Sequence, residues 1–106
     1  MRLSDLRDRV RLERLVATTD SHGGHASAWS VIDTVWALVR PGEGREALEA
    51  DQVTAALSTD VWLRFRSDVS VRDRILHGAR TLQIVGAVDP DGRRHWLRLA
   101  CREVTA

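Results

Sequence analysis

The groups of this chain that could move protons, attack carbonyls or hold metals are four histidines, fifteen carboxylates and one cysteine. Their spacing assembles none of those sites. His22 and His25 stand three apart beside Gly23 and Gly24, but no further His, Cys or acidic cluster completes a ligand set, so the pair reads as an exposed turn. His77 and His95 fall near strand ends, as edge residues rather than general bases. Asp33, Glu46 and Asp60 are scattered, and nothing pairs them as acid and base. Gly23-Gly24 lacks the neighbouring glycines and helix start of a phosphate-binding loop. No G-x-S-x-G, P-loop or H-E-x-x-H occurs. Cys101 sits in the alternating run Leu97-Arg98-Leu99-Ala100-Cys101 and reads as a core residue, because free cysteine buries readily. The sequence predicts no enzyme, no cofactor and no metal.

Recognition chemistry is better represented. Trp62, Arg64 and Arg66 share one parity of a strand, and Arg7, Arg9 and Arg11 share one side of another. An indole beside guanidiniums can stack a base. Tryptophan and arginine are also the residue types that anchor protein interfaces, and the protein interface is the reading preferred here. All sixteen basic residues are arginine, which reads as the codon usage of a GC-rich genome, and the net charge is only +1. A dedicated nucleic-acid binder shows a stronger basic excess.

The elements that must position these residues follow from periodicity. Residues 9–16 alternate, with Val10, Leu12 and Arg14 on one face and Arg9, Arg11 and Glu13 on the other. Leu3 and Leu6 have the spacing of a short helical turn before it. Glycines at 23 and 24 make a loop before a second strand over 28–40, which the sequence predicts to be covered on both sides near Trp36 and Leu38. Pro41 and Gly42 stop it. Residues 44–57 change period and consist of strong helix formers, predicting a helix of two to three turns with a weak apolar face. Strands then follow at 61–66, 74–77, 81–88 and 95–104, the last two separated by the turn Asp89-Pro90-Asp91-Gly92. About six strands and one helix predict an all-β fold with one short helix: a small antiparallel barrel bearing a long helix-carrying loop at about 41–57.

At 106 residues the chain predicts one domain, 1–106. A single cysteine allows no internal disulfide. The charged first residues lack a secretion signal, and no apolar run approaches the ~20 residues that span a bilayer, which predicts a cytoplasmic start and no membrane contact.

The order of the motifs resembles the head–tail joining proteins of long-tailed phages, also called stoppers or head-closure proteins. The resemblance runs from about residue 6 to 103. It begins with the strand Arg9-Val10-Arg11-Leu12-Glu13-Arg14, the turn from Asp20 to Gly24, Trp29, and Val35-Trp36-Ala37 leading to Pro41. It continues through Gly44-Arg45-Glu46-Ala47 to Gln52-Val53, the Val61 to Arg66 strand, Val69 to Ile75, Gly78 to Val85, and Cys101 to Glu103. Asp20-Ser21-His22 departs from the usual Asp-x-Tyr/Phe, and lysine is missing.

The resemblance implies a structural virion component, assembled in the host cytoplasm, of a phage, a prophage or a gene transfer agent. It implies a homo-oligomeric ring, six- or twelve-fold, below the portal and adaptor. Such a ring closes the DNA-filled head and docks a tail-terminator or tail tube, while DNA passes through its lumen without specific binding. Arg45, Glu46, Glu49 and Asp51 of the helical excursion, with Trp62, Arg64 and Arg66, are the expected subunit and partner contacts. The alternatives are a small nucleic-acid-binding barrel using Trp62, Arg64 and Arg66, or a tail-terminator of the same virion.

Overall fold

The computed structural model describes residues 1–19, 23–42 and 58–104. A 3-10 turn over Leu3–Asp5 matches the Leu3/Leu6 spacing, and six strands follow: β1 Asp8–Thr19, β2 His25–Pro41, β3 Ser58–Arg64, β4 Asp73–His77, β5 Arg80–Val88 and β6 Trp96–Val104. All neighbours are antiparallel, and the strands close into a barrel in the order β1-β2-β3-β6-β5-β4. Closure leaves no free edge around the ring of strands, as expected for a small all-β chain. The predicted helix at 44–57 lies outside the described residues. Among the described residues the 3-10 turn is the sole helical element.

Period-two alternation builds the interior. Val10 and Leu12 of β1, Val61 and Leu63 of β3, Ile75 of β4, Leu82 and Ile84 of β5, and Leu97, Leu99 and Cys101 of β6 are all buried in one cluster. Burial, reinforced by the negative charge of Asp60, pushes the Cys101 thiol up to about 12, so it stays protonated as a core residue. At the β5–β6 turn Gly92 takes φ +70° and donates its N–H to the Asp89 carbonyl at 3.3 Å. A side chain would oppose that conformation.

Three sequence expectations are corrected. Glu13 does point away from the core, yet it is only 5% exposed, because Arg11 and Arg74 close over its carboxylate at 3.1 and 2.8 Å. Trp36 is not covered on its outer side; it is 54% exposed, since the outer face of β2 is the barrel's exterior. Arg66 lies beyond the end of β3 at Arg64, so it leaves the parity it shares in sequence with Trp62 and Arg64.

The two ends of the barrel differ. At one end Asp73 is fully buried. It accepts hydrogen bonds from Arg14 Nε at 3.1 Å and from the Ser70 N–H at 2.9 Å. Arg14 also donates to the Asp68 carbonyl, so one guanidinium ties β1 to the loop before β4. Beyond Arg14 the first two strands continue alone. Residues 15–19 pair only with 25–29, as a two-stranded arm about 16 Å long that carries exposed Leu15 and Val16. At the opposite end the N–H of Gly42 donates to the Ser58 carbonyl at 3.1 Å, which pins together the two points where residues 43–57 leave and rejoin the barrel. A β-carbon at Gly42 would press on the Ser58 hydroxyl and come to 3.2 Å from the Ser58 carbonyl carbon, so a side chain here would push the two segments slightly apart.

Candidate interaction surface

Register places the outward residues of three adjacent strands side by side. Trp62 of β3 faces Leu38 of β2 and Arg98 of β6; Asp60 faces Arg40 and Ala100; Arg64 faces Trp96. Arg9 of β1 lies opposite Trp36 and stacks over its ring at 4.9 Å. The guanidiniums of Arg40 and Arg98, one from each neighbouring strand, lie 5.9 and 6.0 Å from the Trp62 ring centre. The result is an exterior wall of arginines interleaved with Trp36, Trp62 and Trp96.

Of the expected contact residues, the structure brings Trp62 and Arg64 onto this wall. Arg66 turns aside to hold Asp68 at 2.7 Å and Asp33 at 3.0 Å. Arg45, Glu46, Glu49 and Asp51 lie outside the described residues. Sequence reading missed Arg40, Trp96 and Arg98 as members of the wall. The signal was present in the alternation of 36-38-40 and of 96-98-100, but it acquires meaning only once β2, β3 and β6 are known to be neighbours.

The wall ends at a seam. β2 pairs with β3 from Leu38 to Pro41 only, so Thr34–Trp36 and the stretch after Leu63 diverge. The gap is a groove of about 920 Å³, floored by Leu6, Val35, Leu63 and Phe65 and rimmed by Arg9, Trp36 and Arg64. Its far side is sealed by the Arg66 fork. Hydrogen bonding to Asp68 is the main cause that raises the Arg66 pKa, with Asp33 contributing after it. In return Arg66 holds the Asp68 and Asp33 carboxyls below the ordinary value of 3.8, helped at Asp33 by the Thr34 N–H. Both carboxylates are exposed, so the stabilisation is modest. It is complete above pH 3.8 and disappears as pH falls through the lower folded values. Carbon-detected NMR titration of an Arg66→Ala chain is expected to return both midpoints toward the ordinary value. Unchanged midpoints would contradict the fork.

Among the described residues no three His, Cys, Asp or Glu groups converge on a metal-sized site. His77 stands 3.7 Å from Asp8, and His95 stands 3.8 Å from Asp91.

The distinctive chemistry of this closed barrel is thus spread over an outer wall and a groove, as on a protein that presents surfaces to partners. The chain belongs to the phage head completion protein family, whose family model it matches over residues 1–104. It is 30% identical over 86 residues to the head completion protein gp7 of Enterobacteria phage HK97, covering 79% of this chain and 77% of that protein. Protein SF1141 of Shigella flexneri 2a, solved in solution, superposes with a TM-score of 0.77 at 31% identity, covering 97% of this chain and 96% of that one. A chain from the virion of a native gene transfer agent particle superposes with a TM-score of 0.65 at 28% identity, covering 95% and 97%. The protein is a structural component of the head–tail region of a phage-type virion, where it associates with other virion proteins.

Proposed function

We propose that copies of this chain form a ring beneath the portal and its adaptor, close the DNA-filled head, and present the docking surface on which the tail-terminator or tail tube is received. The membership of residues 1–104 in the head completion family carries this reading, and the likeness to a chain of a gene transfer agent virion supports it. The work is done by fit: ring subunits meet through unlike patches that close by rotation, six- or twelve-fold, and DNA passes the lumen without specific contacts. No reaction is assigned to the protein. The excursion at 41–57, with Arg45, Glu46, Glu49 and Asp51, supplies contacts between subunits.

Disruption of the gene in the virus or particle that encodes it is the test. Filled heads and finished tails are expected to accumulate unjoined, and the full-length chain supplied in trans restores joined particles. A chain lacking residues 43–56 is expected to restore fewer than about one in ten, the effect of losing a central contact at each interface. Normal joined particles without any copy of the chain would refute the reading. Full rescue by the shortened chain would refute the role of the excursion alone.

A further inference from the structure

We propose that the arginine–tryptophan wall of one copy is the receptor for residues 43–57 of a second copy, the two forming the head-to-tail contact of the ring. The proposal rests on the ring reading above and names the surfaces that meet in it.

The distribution of charge carries the argument. Across the described residues fifteen arginines stand against ten acids, an excess of five positive charges in a chain whose total is only +1. Residues 43–57 hold Glu43, Glu46, Glu49 and Asp51 against Arg45 alone, an excess of three negative charges, interspersed with alanine and leucine. The near-neutral total therefore conceals a basic body and an acidic excursion.

Among the described residues Arg11, Arg14, Arg66, Arg74 and Arg80 each meet a carboxylate, and the other ten arginines, half of them on the wall, form no ion pair. On the wall, Arg9, Arg40, Arg64, Arg98 and Arg102, the last opposite Ser58 on the outward parity of β6, form no ion pair among the described residues, and the buried Nε of Arg98 has no hydrogen-bond acceptor there. Asp60, opposite Arg40, is the one acid on the outward parity of β3, so the wall keeps a positive excess that opposite charge brought from outside would relieve. Trp36, Trp62 and Leu38 between them offer apolar contact to the alanines and leucines of the incoming segment.

Placement agrees with charge. The excursion is rooted at the Gly42–Ser58 clasp, at the end of β2 and β3 and therefore at the border of the wall itself. Each copy then carries a donor patch and a receptor patch, which is the condition for a heterologous contact that closes into a ring. Single-stranded DNA fits the wall less well. Base stacking requires a free indole face, and Trp62 is already flanked by guanidiniums from both neighbouring strands.

Charge exchange in the full-length chain tests the pairing, with complementation of the disrupted gene as readout. A wall reversal, Arg40→Glu with Arg98→Glu, and a segment reversal, Glu46→Arg with Glu49→Arg, are each expected to lower incorporation into particles at least about tenfold. A chain carrying all four changes is expected to recover most of it. Arg40→Gln with Arg98→Gln, checked for unchanged thermal unfolding, covers the case in which the reversed wall fails to fold. A second measurement fixes which copies meet. Differently tagged Asp51→Cys and Arg102→Cys chains in the same purified particles are expected to give a disulfide between the two tags when a copper–phenanthroline oxidant with dissolved oxygen takes up the two electrons. Cys101 is sealed in the core and does not compete. Wild-type incorporation by both reversals and by the neutral pair would overturn the proposal, as would closure of the Asp51→Cys, Arg102→Cys pair only within one doubly substituted chain. Salt-sensitive retention of a single-stranded oligonucleotide, lost in the wall reversal while incorporation persists, would assign the wall to DNA instead. If the unaltered chain does not complete heads, the ring reading itself fails. If it does, and the reversals do too, only this pairing fails.

Discussion

An Asp73→Ala chain is expected to lose about 3 kcal/mol of folding free energy, the lower end of the cost of breaking a buried ion pair from one side. For a chain of this size that is a fall in melting temperature of about 12 °C. Asp73 is fully buried at the end of the barrel, where its two oxygens take Arg14 Nε and the Ser70 N–H. Removing the carboxylate leaves that N–H without its acceptor and releases Arg14 from the strand pair that closes the barrel, Arg14 opposite Asp73. The lower end of the range applies because Arg14 is half exposed and finds water when freed. Asp73→Asn retains an acceptor for Ser70 but not the charge, and is expected to lose about half as much. Thermal unfolding followed by circular dichroism measures both. Equal stability of all three chains would show that the barrel end is held by packing alone.

Leu99→Ala is the second large effect, also about 3 kcal/mol, within the span measured for truncating a fully buried leucine. Leu99 is completely buried at the centre of β6, paired with Val61 on one side and Ala87 on the other. Neighbours on a closed barrel are held by ladders on both sides, so they collapse poorly into a vacated site and the cavity persists. Chemical denaturation is expected to show a lower midpoint with an unchanged slope. A loss below about 1 kcal/mol would mean that the barrel relaxes around the gap.

Much of the fold was legible because a strand buried on one face writes its burial into alternate residues. Val61, Leu63, Leu97, Leu99 and Cys101 face inward as their parity demands, and Pro41 ends β2 where proline should. Register was not legible. β2 carries one residue more than β1 between the Leu12–Asp33 and Glu13–Val31 pairs, and nothing in the local sequence marks that bulge. Nor does parity distinguish an outward residue that meets solvent from one covered by its neighbours, which is why Glu13 is buried and Trp36 is not.

The candidate surface was legible in type but not in extent. Trp62 and Arg64 were identifiable because they lie on one strand. Arg40 and Arg98 join them only through pairings that cross from residue 40 to 60 and from 62 to 98. Arg66 was misplaced for a related reason: alternation says nothing of where a strand stops, and two carboxylates, Asp68 of the following turn and Asp33 of β2, capture the guanidinium once β3 has ended.

The pairing of β3 with β6, Ser58 opposite Arg102 through Arg64 opposite Trp96, also bears on the order of events during synthesis. β1 and β2 form a local hairpin soon after they leave the ribosome, whereas β3 must wait for β6 to be made. Such distant pairing is slow to form and comes late. Half of the outer wall, Arg98 and Trp96 included, therefore does not exist beside Trp62 until translation has passed residue 98. A truncated or stalled chain lacks an intact wall, and the strand order itself ties the surface that meets partners to completion of the chain.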